Sequence, residues 1–72
     1  MFYIRSTTTA QGVTKHAENL NRRRAFVKWL RIVYRVRMAR KSGAEIEATR
    51  TAAGYVATIK KPGQVDRYTL TR

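Results

Sequence analysis

The chain has 72 residues, with sixteen Lys and Arg against four Asp and Glu, one His and no Cys, for a formal charge of +12. A length of this order supports one domain whose small core buries only about 60% of the unfolded surface. The lack of cysteine excludes disulfides and thiolate metal sites. No apolar run approaches the ~20 residues of a membrane span or the length of a signal-peptide core, so an intracellular, cytoplasmic protein is expected.

Phe2 to about Thr8 is aromatic and β-branched without a breaker, which predicts a strand. Thr9 to Thr14 contains Gly12 and reads as a loop, with Thr14 placed to cap a helix. From about Lys15 to Lys41 there is no Gly or Pro, and Arg, Ala, Leu and Met are frequent. This predicts one helix of about 40 Å, with His16 and Glu18 in its first turn. Arg40 and Lys41 suit its last turn, and Gly43 suits a left-handed cap.

After Gly43 the period changes to two. Residues 44–50 alternate apolar and polar, Ala52-Ala53 forms a turn, residues 55–60 a strand, Pro62-Gly63 a type II turn, and residues 65–71 a strand. With these two turns as loops, Ile46 faces Ile59, Ala48 faces Ala57, Ala57 faces Tyr68 and Tyr55 faces Leu70. One sheet face then collects the apolar residues, and a one-residue slip at either turn destroys it. The expected fold is α+β, a single β-α-β-β-β domain: a strand at about 2–8, a helix at about 15–41 and a three-stranded meander at about 44–71.

On the helix, Arg24, Lys28, Arg31 and Arg35 fall on one stripe at i, i+4, i+7 and i+11, with no acid among them. Arg22 and Arg23 extend the charge at one end, and Arg37, Arg40 and Lys41 at the other. Phe26, Val27, Leu30, Val33 and Tyr34 are expected to pack on the sheet. Trp29, Ile32 and Val36 form a further flank, which either a curled sheet covers or a partner protein or second copy meets. A homodimer would supply the burial that so small a chain lacks.

Catalytic chemistry has little to work with. His16 is the lone histidine, Ser6 and Ser42 have no other base, and the four glycines are scattered. Glu45 and Glu47 sit across from Lys60 and Arg67 and read as cross-strand ion pairs. The chain is therefore read as a non-enzyme without cofactor, metal or small-molecule substrate.

Arginine outnumbers lysine by eleven to five, and its planar donor fork suits phosphate. The leading expectation is a nucleic-acid-binding regulator, for DNA or RNA, contacting phosphates through Arg22, Arg23, Arg24, Lys28, Arg31, Arg35, Arg37, Arg40 and Lys41. The alternative is a protein-binding inhibitor that docks on an acidic surface of a host protein or nucleic-acid-handling complex, with Trp29 as an anchor. In size, charge and lack of motifs the chain resembles small phage early proteins. That resemblance implies a regulator working in a host cytoplasm.

Overall fold

The computed structural model describes residues 1–72 as β1 (Phe2–Thr9), β2 (Gly12–Asn19), α1 (Arg22–Lys41), β3 (Glu45–Thr51), β4 (Gly54–Lys61) and β5 (Gln64–Thr71). The strands form one antiparallel sheet in the order β2-β1-β5-β4-β3. The fold is α+β, and its element order is β-β-α-β-β-β.

The β3–β4–β5 meander is set by its turns. Ile46 pairs with Ile59, Ala48 with Ala57, Ala57 with Tyr68 and Tyr55 with Leu70. Pro62 cannot adopt positive φ, so the turn places that conformation on Gly63, at φ +78°, as a type II turn requires. Gly54, at φ +155°, is a tighter constraint. A Cβ there would overlap the Leu70 carbonyl oxygen and lie 2.9 Å from Thr71 Cα.

The expected long helix is corrected at its start. Residues Gly12–Asn19 form β2, a hairpin partner of β1 closed by Ala10-Gln11, with Thr9 paired to Gly12. Asn21, not Thr14, caps α1: its Oδ1 accepts from the Arg24 backbone N–H at 2.9 Å. Leu20 and Ala25, at the positions that staple a helix start, both enter the core. The helix is thus 20 residues, about 30 Å, and ends with Ser42 Oγ donating to the Ala39 carbonyl at 2.9 Å. β1 pairs along its whole length with β5.

Pairing of Tyr3 with Leu70 and Arg5 with Tyr68 sets the helix-side face of the sheet. Tyr3, Ala57, Ile59, Tyr68 and Leu70 on that face join Leu20, Ala25, Ile32, Val36 and Ala39 in a ten-residue core. Buried Asp66 lies on the same face and is satisfied by Thr7 Oγ1 at 2.9 Å and Gln64 Nε2 at 3.0 Å. The opposite face carries no second layer.

The helix meets the sheet through Ala25, Trp29, Ile32, Val36 and Ala39, spaced i, i+4, i+7, i+11, i+14. Alanines at both ends of this row let the backbone approach the sheet. This corrects the expected packing face. Phe26 and Tyr34 remain 59% and 64% exposed, Val27 and Leu30 are also exposed, and Val33 is only half-buried. Ala48 has the expected register, but it is exposed on the edge strand β3. α1 packs mainly over β3, β4 and β5, so the helix-side face of β1 and β2 is left partly open. No helix is long and apolar enough to cross a membrane.

Candidate nucleic-acid interface

α1 carries nine of the sixteen cations and no acid. At 100° per residue the stripe of Arg24, Lys28, Arg31 and Arg35 lies about 90° around the helix from the buried row. It therefore does not point away from the sheet. It forms one wall of a groove whose floor is the open part of β1 and β2.

Two depressions make up this groove. Arg23, Arg24, Lys28 and Arg31 line the first, of about 490 Å³, together with Glu18, Leu20 and Val27. Lys28, Arg31 and Arg35 line the second, of about 150 Å³, with Tyr3, Arg5, His16, Ile32 and Tyr68. Lys28 and Arg31 belong to both, so the two are continuous.

The groove is cationic but not free of acid, which corrects the expectation for the stripe. Glu18 arrives on β2, and its Oε1 lies 3.4 Å from Lys28 Nζ. Burial alone would raise the Glu18 pKa. The hydrogen bond and charge of Lys28, with a smaller share from His16, more than offset this and hold it below the usual carboxylate range. His16, expected in a first helical turn, is an exposed β2 residue 3.6 Å from the other Glu18 oxygen. Lys28 also sits 4.7 Å from the Tyr3 ring centroid. Arg35 Nη1 donates to the Tyr68 hydroxyl at 3.1 Å. That hydrogen bond raises the Arg35 pKa, against the opposing effect of burial. Burial pushes the Tyr3 hydroxyl up, so it stays protonated and able to donate.

Of the nine expected contact residues, the fold gathers Arg23, Arg24, Lys28, Arg31 and Arg35 along this groove. Arg22 lies on the other flank, and Arg37, Arg40 and Lys41 are exposed at the helix end outside it. For the flank of Trp29, Ile32 and Val36, left open between cover by the sheet and contact with a partner or second copy, the sheet is the cover, and the reading of these residues as a protein interface is corrected. Ile32 and Val36 are buried under the sheet and Trp29 is packed against the core. The apolar residues left facing outward are Val27, Leu30, Tyr34 and Met38, on the side of α1 away from the sheet.

On the far flank, Phe26, Trp29, Tyr55 and Leu70 floor an open groove of about 700 Å³, with Arg22, Arg50 and Arg72 on its walls. Of the expected cross-strand ion pairs, only Glu47 to Lys60 forms, at 4.0 Å and from a diagonal position, since Lys60 lies directly opposite Glu45; neither acid pairs with Arg67. No group of three or more His, Asp or Glu side chains converges anywhere.

Arg5, Tyr3, Tyr68 and Glu18 are the groove residues that the helix pattern alone misses. Their signal is strand alternation: Tyr3 and Arg5 share a face, and Glu18 and His16 face them across the hairpin. Comparison with protein-family models, curated proteins and solved structures finds no match, so the chain's own groove, helix and sheet carry the functional reading.

Proposed function

We propose that the protein is a small nucleic-acid-binding regulator that seats a phosphate backbone along the groove between α1 and the β1–β2 hairpin. The observation that carries this reading is the lining of that groove, five α1 cations and Arg5 against the single carboxylate of Glu18. Arg22, Arg23 and Arg24 add a second argument. They occupy the first turn of α1, which has no acid, where the helix dipole opposes cations by about 0.3–1 kcal/mol each at low salt. A phosphate beside that turn reverses the penalty.

The test uses charge reversal at exposed positions. Arg24→Glu with Arg31→Glu changes the groove, while Arg37→Glu with Arg40→Glu changes net charge equally outside it. Binding of random duplex DNA, single-stranded DNA and RNA at ~50 mM salt should fall at least tenfold more for the first pair. Equal losses would reduce the effect to net charge and overturn the groove as the site.

One observation favours a second reading, a protein-binding modulator that docks on an acidic surface. Val27, Leu30, Tyr34 and Met38 are exposed and have the i, i+3, i+7, i+11 spacing of a helix seam, with Arg23, Arg37 and Lys41 among them. Two copies meeting there would bring together chains of +12 each, so an acidic partner suits the row better than a homodimer. Leu30→Glu with Tyr34→Glu should leave nucleic-acid affinity within about threefold if the groove is the site. Retention of one acidic protein from nuclease-treated lysate by the wild type but not by that variant, with nucleic-acid binding intact, would favour the protein partner.

A further inference from the structure

We propose that the deep end of the groove, between β1 and α1, is a pocket for a single phosphate group, held by Arg5, Arg31 and Arg35. The proposal rests on the phosphate-binding reading above and names the point where that groove becomes a built site.

Arg5 is the anomaly that leads there. It projects from β1 into the layer between sheet and helix, next along from buried Tyr3 on the same face. Its Nε is buried and has no hydrogen-bond partner. A buried N–H without an acceptor costs stability that water or a ligand must return. The nearby acid does not serve: the Asp66 oxygens accept from Thr7 and Gln64, and no ion pair joins Asp66 to an arginine. No carboxylate lies within 4.0 Å of Arg5, Arg31 or Arg35, since the ion pairs of the fold involve only Lys28, His16 and Lys60.

The fold nevertheless draws these like charges together. The Arg5 and Arg35 guanidinium carbons lie 5.6 and 5.7 Å from the centroid of the one Tyr68 ring. Arg31 joins them on the cleft wall. Tyr68 Oη accepts from Arg35, which leaves its own O–H to donate. Tyr3 adds a second hydroxyl to the lining.

Shape sets the ligand class. The cleft holds about 150 Å³, the share of roughly five waters at ~30 Å³ each. That admits a tetrahedral oxyanion with a little water. Three guanidinium groups, one from β1 and two from α1, match the several oxygens of a phosphate better than the two of a carboxylate.

The experiment titrates sodium phosphate at fixed ionic strength, with sodium chloride making the balance and sodium acetate as a second anion. The Arg5 Nε–H resonance and the melting temperature are monitored. The expected result is a saturable one-to-one shift at Arg5 Nε with phosphate and a rise in melting temperature that acetate does not reproduce. Arg5→Met should weaken phosphate at least tenfold, whereas Lys15→Met, an equal charge loss on the outer sheet face, should not. Arg31→Met, at an exposed position, gives the same test should Arg5→Met fail to fold.

A response to phosphate no larger than to acetate, or wild-type phosphate affinity in Arg5→Met and Arg31→Met, overturns the pocket. A 5′-phosphorylated and a 5′-hydroxyl oligonucleotide of one sequence separate the sources. A preference for the first that Arg5→Met abolishes assigns the pocket to a strand end, and phosphate binding without that preference assigns it to free phosphate. Nucleic-acid binding without phosphate binding removes the pocket and leaves the groove standing; the reverse result removes the groove reading instead.

Discussion

Replacing Ile32 by Ala should cost far more stability than replacing Leu30 by Ala, although the two lie two residues apart on one helix. Ile32 is 1% exposed and is the largest fully buried side chain, whereas Leu30 is 46% exposed. Ile32→Ala removes three carbons from a closed core. At about 0.8 kcal/mol each plus a term for the cavity left behind, the loss is about 3–4 kcal/mol. Leu30→Ala removes the same number of carbons from a half-wet surface and leaves no cavity, for about 1 kcal/mol or less. A domain of this size has roughly 4–11 kcal/mol in total, so the first change takes a large share of it. At ~4–8 °C per kcal/mol the melting temperatures should fall by about 12–30 °C and by less than about 8 °C. Thermal and urea unfolding monitored by circular dichroism measure both. Equal losses, or a larger loss for Leu30→Ala, would refute the assignment of the buried helix face and with it the lateral position of the cationic stripe.

Glu18→Gln should alter two properties at once. Because the folded pKa of Glu18 is depressed, the carboxylate contributes stability above its unfolded pKa, and that contribution disappears as pH falls through the folded value. The variant should therefore show a flatter acid limb in a stability-against-pH profile, and it should bind polyanions more tightly because the groove loses its one acid. Unchanged affinity in the variant would place the polyanion elsewhere. Gly54→Ala should cost on the order of 2–3 kcal/mol, since its Cβ meets β5 backbone at a positive φ. Gly43→Ala, at φ +84° with open space around it, should cost only about 1 kcal/mol. Urea midpoints compare the two, and equal costs would contradict the close approach of β4 to β5 at Gly54.

The meander was legible in the sequence because two independent turns had to agree on one apolar face, and Ala57 served both pairings. β2 was not legible for a physical reason. It is an edge strand, almost all of its residues are exposed, and its hydropathy therefore has no period to read. Its Lys, His, Ala and Glu are tolerated in helices, so the segment merged with α1. The marker of the true start was Asn21, whose side chain caps the Arg24 N–H. The helix face was misread because apolar residues occupy most of the circumference. Bulk pointed to Phe26, Leu30 and Tyr34, while close packing on a flat sheet selected the row that begins and ends in alanine. The cationic stripe was visible as a pattern, but its turn into a groove depended on β1 and β2, and so did the addition of Arg5, Tyr3 and Tyr68.

The most direct test of the central claim is the salt dependence of binding to random duplex DNA. The groove gathers Arg23, Arg24, Lys28, Arg31 and Arg35. If each meets one phosphate, log K should fall against log salt with a slope of about −4.5, from ~0.9 per contact. Arg24→Glu with Arg31→Glu should reduce the magnitude of that slope by about two. No binding at ~50 mM salt, or a slope that the groove variant leaves unchanged, would contradict the account.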